Sequence, residues 1–248
     1  MASPASRIPR ARLHAGLVVA AVGLAALTGC SPSGDQGGDA PSAAPATTAP
    51  SSPSISSPSA GASGALDRGE LADLFSGIQF RPAEYDSTAA MLESIYPGLT
   101  VSDAACLAPF GAGWESSGDA VEWGTSNDRS MTAVVASAAD DSAAEELVAQ
   151  AEAAIARCAD GQELFAMQGV PVTTSVEPFE LAVTGADDVR GWRVTGDVGG
   201  SPFTLVGATV RSGQNALALV GWDPATSEDY VPQATQLFVD RISRAAAG

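Results

Sequence analysis

The stretch from Val189 to Trp222 reads VRGWRVTGDVGGSPFTLVGATVRSGQNALALVGW. Three runs rich in β-branched, aliphatic and aromatic residues, Val189 to Val198, Phe203 to Arg211 and Asn215 to Trp222, are separated by Gly199-Gly200 and by a short turn near Ser212-Gly213. Both separators are hairpin signals, because glycine reaches the positive φ that two-residue turns require, so neighbouring runs are antiparallel. With Gly199-Gly200 as the loop, paired positions sum to 399, which sets Trp192 opposite Gly207 and Val194 opposite Leu205. With Ser212-Gly213 as the next loop, Leu205 pairs with Val220 and Phe203 with Trp222. One face of the ribbon then carries Trp192, Val194, Phe203, Leu205, Val220 and Trp222, with Arg190 and Arg211 as diagonal neighbours at its end. The other face carries Val206, Ala208, Val210, Leu217 and Leu219. A one-residue slip in either turn would exchange the faces. Both are apolar, so both need cover from helices, a partner or a ligand.

Outward from this ribbon the pattern alternates between the two regular periods. Strand-like runs occupy Ala120 to Gly124, Met131 to Ser137, about Glu163 to Met167, and Thr173 to Val183. Leu71, Leu74, Phe75 and Ile78 have helical spacing, and a second helix is expected over Ser87 to Tyr96, stopped by Pro97-Gly98. A longer helix is expected over Ser142 to Arg157, with Asp140, Asp141 and Ser142 as N-cap oxygens and Ser142 with Glu145 at capping-box spacing. Its stripe is Leu147, Val148, Ala151, Ala154, Ile155 and Cys158. A last amphipathic helix covers about Tyr230 to Ala246. The expected fold is α+β, a curved antiparallel sheet with helices packed mainly on one face as a two-layer sandwich. Residues 66 to 248 hold 183 positions, enough for a single domain that needs no metal to fold.

Residues 1 to 29 read as an export signal. Arg7, Arg10 and Arg12 precede an apolar run from Ala15 to Leu27, followed by Thr28-Gly29-Cys30. That run is 13 residues long, short for spanning about 30 Å of hydrocarbon. Small residues before a cysteine at the end of such a run resemble the bacterial lipobox, in which the cysteine, here Cys30, is acylated and becomes the N-terminus. The alternative is an ordinary cleavage site in which Cys30 is merely a small apolar residue. From Ser31 to Ala65, 31 of 35 residues are Ser, Pro, Ala, Gly or Thr, too little apolar area to offset the entropy of ordering. Residues 30 to 65 are therefore expected to be a disordered linker carrying the lipidated cysteine.

The whole chain carries 29 acids against 12 bases, a formal charge of −17. Loss of residues 1 to 29 removes three arginines and no acid, leaving −20. Such an excess repels nucleic acid and anionic headgroups, so the membrane is met through acyl chains rather than a basic patch. Every base is arginine and the one histidine is His14, inside the signal. The mature chain thus lacks histidine bases, histidine metal ligands and lysine Schiff bases. No cofactor, metal site or catalytic set is expected. Carboxylates are plentiful enough for a paired-acid hydrolase, but Asp140, Asp141, Glu145 and Glu146 sit where a helix N-terminus favours negative charge.

Cys106 and Cys158 are the two thiols left in the folded part. In an exported domain an even pair forms a structural disulfide, here closing a loop for which chain entropy gives about 4 kcal/mol. The aromatic face has two readings. As a site, Trp192, Phe203 and Trp222 would floor a pocket for an amphipathic ligand, with Arg190 and Arg211 at its rim. As scaffold, Trp192 covers the bare backbone at Gly207, and Arg211 pairs with Asp188 across the strands.

Cys106 after an N-terminal helical region, the run Met131 to Ala136, and the alanine-rich helix Ala143 to Arg157 leading into Cys158-Ala159-Asp160-Gly161 together carry a family likeness. The domain resembles the extracellular sensor domain at the C-terminal end of PknH-type mycobacterial serine/threonine kinases, which also occurs in stand-alone actinobacterial lipoproteins. The likeness covers about residues 70 to 246. Where that family often has four cysteines this chain has two, and Ala154 to Arg157 replace a tryptophan common before the helix-end cysteine. A neighbouring lipoprotein family, such as the LpqN type, is the alternative. The resemblance implies a two-layer domain with a cleft for an extracellular ligand. The expectation is a non-enzymatic cell-envelope lipoprotein, lipid-anchored on the extracytoplasmic side, that binds a small or amphipathic ligand; docking to another envelope protein is the alternative.

Overall fold

The structure, a computed structural model, describes residues 64–248. The expected export signal, Cys30 and the expected linker as far as residue 63 lie outside the described residues. Among the described residues the α-helices are α1 (Arg68–Asp73), α2 (Thr88–Ile95), α3 (Trp114–Ser117), α4 (Asp141–Arg157) and α5 (Ser227–Ala246). The strands are β1 (Phe80–Ala83), β2 (Leu99–Val101), β3 (Ala120–Ser126), β4 (Met131–Ser137), β5 (Asp160–Met167), β6 (Val170–Pro178), β7 (Asp188–Val198), β8 (Ser201–Ser212) and β9 (Asn215–Gly221). A 3-10 helix spans Ala104–Phe110. The described strands make one antiparallel sheet of nine in the order β1-β3-β4-β9-β8-β7-β6-β5-β2.

The β7–β8 hairpin has the register expected from Gly199-Gly200, with Trp192 opposite Gly207 and Val194 opposite Leu205. Both turn glycines take positive φ, 60° and 88°. The next turn is Gly213-Gln214 rather than Ser212-Gly213, since Ser212 pairs with Asn215, and Val220 therefore faces Gly207 instead of Leu205. The slip is two positions, one full pleat repeat, so every side chain keeps its expected face. Val206, Ala208, Val210, Leu217 and Leu219 lie together in one core, while Trp192, Val194, Leu205 and Val220 lie in the other.

Helices cover both faces, which corrects the two-layer arrangement with helices mainly on one side. On one face α5 lays Val231, Phe238, Val239 and Ile242 on β8 and β9. Phe75, just beyond α1, meets Phe238 edge to face at 5.3 Å. Full burial of a side chain such as Phe238 is worth about 1.5–3 kcal/mol. On the opposite face α4 packs Leu147, Val148 and Ile155, and the 3-10 helix packs Leu107 and Phe110. The physical reason is composition: β4 and β9 are buried nearly throughout and β8 from Leu205 to Val210, and a strand apolar on both faces needs cover on both.

The ends of these helices follow local chemistry. Asp140 caps α4 by accepting from the Ala143 N–H at 2.9 Å, as carboxylates at an N-cap do. The reciprocal capping box is made by Asp67 and Glu70 at α1, not by Ser142 and Glu145. The Cys106–Cys158 disulfide pins the 3-10 helix to the C-terminal end of α4. Short β1 and β2, the two edge strands, have no counterpart in the strand pattern expected from the sequence.

Curvature positions the site. Phe165 of β5 and Phe203 of β8 stand three strands apart, a separation of about 14 Å in a flat sheet. Their ring centroids are 5.8 Å apart. The sheet therefore curls over the face that holds Trp192, and register shifts near Asp160 and Glu163 in the β5–β6 pair supply the local bending that bulges produce.

Candidate functional site

The β7-β8-β9 ribbon has two unlike ends on its concave face. In its middle, Trp192 is fully buried. A Cβ at Gly207 would fall 2.1 Å from the Trp192 ring, so glycine is required there and the indole lies on bare backbone. The Trp192 indole N–H donates to Thr209 Oγ1 at 3.2 Å, and that hydroxyl donates to the Pro109 carbonyl at 2.9 Å. Phe110 packs on the same ring at 4.7 Å. Trp192 is thus a structural tie between the sheet and the 3-10 helix. Trp123 makes a parallel connection, donating to Thr88 Oγ1 at 3.2 Å, which donates to the Gly111 carbonyl at 3.0 Å.

Beyond Trp192 at one end lie Arg190 and Arg211. Arg190 pairs with Asp188 and, at 3.0 Å, with Glu152 of α4. Arg211 pairs with Asp187 at 3.4 Å, not with its cross-strand neighbour Asp188. Asp187 also accepts the Gly213 N–H at 2.7 Å.

At the other end, about 26 Å along β8 by strand rise, Phe203 and Trp222 line an open apolar cavity of about 250 Å³. Its floor is Val198, Phe203 and Leu205, one wall is Phe165 and Met167 of β5 with Leu99 of β2, and the other is Tyr96 against Trp222. The Tyr96 and Trp222 rings are 4.3 Å apart. The Trp222 indole N–H donates to Thr132 Oγ1 at 3.0 Å, and Tyr96 Oη donates to the Arg129 carbonyl at 3.1 Å. Both wall rings are thereby held by their polar ends with their apolar bodies facing the cavity. Tyr96 is the ionisable lining group, and burial pushes its phenol well above the ordinary range, against a smaller opposing pull from Arg129. The volume lies just below the usual range for ligand sites, about 300–1,000 Å³.

Of the five residues expected to form a binding face, the structure brings Phe203 and Trp222 to one cavity, packs Trp192 into the core, and leaves Arg190 and Arg211 at the far end. Tyr96, Phe165 and Met167 also line the cavity, with Leu99, Val198 and Leu205, and the sequence pattern does not join them to Phe203 and Trp222. Phe165 and Met167 stand two apart in a strand-like run, the spacing of one sheet face. Tyr96 closes a helix at a Pro-Gly stop, where a ring projects past the helix end. A larger polar cavity of about 480 Å³ lies between Arg68, Tyr85 and Trp123 and gathers Asp86, Glu115 and Asp119. Among the described residues no group of three His, Cys, Asp or Glu is arranged to hold a metal ion, and no helix is long and apolar enough to cross a membrane.

Among solved structures, the chain is similar to the crystal structure of the extracellular domain of PknH from Mycobacterium tuberculosis. The two share 14% identity at a TM-score of 0.43, over 73% of this chain and 93% of that one. No family model and no curated protein matches the chain. The fold is α+β, built on one large antiparallel sheet with a disulfide between Cys106 and Cys158.

Proposed function

We propose that residues 66 to 248 are the non-catalytic, sensor-like domain of a cell-envelope lipoprotein, anchored by acyl chains on Cys30 and binding a small or amphipathic ligand on the extracytoplasmic side. The observation that carries the reading is the apolar cavity lined by the Phe165–Phe203 and Tyr96–Trp222 ring pairs. Convergent aromatic side chains in a concave site give a ligand large contact area for little loss of side-chain entropy. The Cys106–Cys158 bridge supports an oxidising compartment, and the signal-like N-terminus with its cysteine supplies the anchor.

The test is native mass spectrometry of the full chain, isolated from the native envelope and compared before and after organic extraction. The reading expects a reproducible extra mass that extraction removes. A clean apo mass after gentle isolation would contradict it and favour docking to another envelope protein.

A further inference from the structure

The cavity described above is apolar, yet the turn behind its Tyr96–Trp222 wall is charged. That turn, residues 127 to 130, is bonded at consecutive positions to the Tyr96 hydroxyl and to the Trp222 main chain. Tyr96 Oη donates to the Arg129 carbonyl at 3.1 Å, and the Trp222 backbone N–H donates to the Ser130 carbonyl at 2.8 Å. Arg129 takes a left-handed backbone, φ 62°, an uncommon state for a residue with a Cβ. Together with Arg81 it lines a second cavity of about 290 Å³, whose other wall includes Ser94 and Ile95, the two residues that precede Tyr96.

The state of the arginines distinguishes this place from the rest of the molecule. Arg68, Arg190, Arg193 and Arg211 each pair with a carboxylate. Arg157, Arg241 and Arg244 donate to backbone carbonyls. Arg81 donates through Nε to Asn127 Oδ1 at 2.7 Å and meets no carboxylate among the described residues. The Arg129 guanidinium has neither a hydrogen bond nor an ion pair among them. The carboxylate in the same turn, Asp128, is taken by the Ser126 and Ser130 hydroxyls at 2.7 and 2.8 Å. On the same cavity wall the Thr125 hydroxyl oxygen is buried and has no partner. In a chain of formal charge −17, two arginines spared by the surrounding acids form a local positive site in a negative field. Guanidinium groups bind carboxylate, phosphate and sulfate through paired N–H donors.

We infer that the ligand of the apolar cavity is an amphiphile with an anionic end, and that Arg129 with Arg81 holds that end while the aromatic walls hold the tail. The inference rests on the cavity being a ligand site, and it replaces Arg190 and Arg211 as the cationic rim. The test uses two probes of the same apolar body, the anionic 8-anilinonaphthalene-1-sulfonate and the neutral N-phenyl-1-naphthylamine, titrated by fluorescence into the full chain. In the unaltered protein the anionic probe binds more tightly. In the double variant Arg81→Gln, Arg129→Gln the ratio of anionic to neutral affinity falls about tenfold, while Arg190→Gln leaves that ratio within twofold. Dodecanoate displaces the anionic probe at concentrations where inorganic phosphate does not.

Binding of both probes with a ratio untouched by the double variant would overturn the inference and leave the cavity reading standing. Displacement by inorganic phosphate as effective as by dodecanoate would overturn it by making the arginines a free-anion site. Failure of either probe to bind the native chain would overturn the cavity reading as well. If the double variant does not fold, the salt dependence decides: the anionic probe alone must lose affinity as salt rises.

Discussion

The two ends of the β7-β8-β9 ribbon are built from similar residue types and have opposite fates. At the Asp188 end, Arg190 and Arg211 are matched by Glu152, Asp188 and Asp187. At the Gly199-Gly200 end, Phe203 and Trp222 face open space while Arg81 and Arg129 close by lack carboxylate partners. Between them Trp192 is sealed against Gly207 and Thr209. An aromatic ring or a guanidinium says little by itself about ligand binding; what separates scaffold from site is whether neighbouring groups already satisfy it.

The sharpest way to break this comparison is to truncate the rings in turn. Trp192→Ala should cost about 3–5 kcal/mol, as a large core deletion does, read as a fall in urea midpoint. Trp222→Ala, half-buried at the cavity, should cost less than half as much; equal losses would erase the distinction between the two positions. Next in size is the bridge: Cys158→Ser should cost about 2–5 kcal/mol by freeing the 3-10 helix that receives the Thr209 hydroxyl. Phe203→Ala should then leave the urea midpoint nearly intact while weakening N-phenyl-1-naphthylamine at least tenfold, measured by fluorescence titration. At the closed end, Arg211→Gln, which breaks a part-buried pair, should change stability by about 1 kcal/mol, the upper end for surface ion pairs, and leave probe affinity unaltered.

The smallest effect concerns pH and the turn behind the cavity. Hydrogen bonds from Ser126 and Ser130 hold the Asp128 carboxyl down at about 2, below its unfolded value. Its contribution is therefore complete above the unfolded value and is lost as pH falls through about 2. Asp128→Asn should lower the unfolding midpoint slightly at pH 6 and by progressively less as pH falls to 2. A difference that persists unchanged at pH 2 would contradict the assignment.

Much of the fold is legible in the sequence because it is local. Two glycines at 199 and 200 set a hairpin register that the structure reproduces pair by pair, and the displaced turn at Gly213-Gln214 kept parity because it moved by a whole pleat. The amphipathic stripe of α4 was equally readable, as was the disulfide; on α5 Val231, Phe238 and Ile242 face the core as their spacing predicts, whereas Leu237, expected inward, is exposed. Less legible was everything set by distant segments. β1 and β2 are four and three residues long, too short for a periodic signal, and the 3-10 helix around Pro109 breaks every helical template. The open end depends on curvature that carries Phe165 across three strands to Phe203. No pattern along one strand encodes that approach, so Arg190 and Arg211 looked like a rim when their acids were already in place.

The measurement that bears most directly on the account is amide hydrogen exchange of the full chain, with and without saturating N-phenyl-1-naphthylamine. The account predicts slowed exchange around residues 165 to 167, 198 to 205 and 222, with residues 188 to 192 and 209 to 211 unchanged. Slowing confined to the arginine end, or no slowing anywhere while the probe is bound, would contradict it.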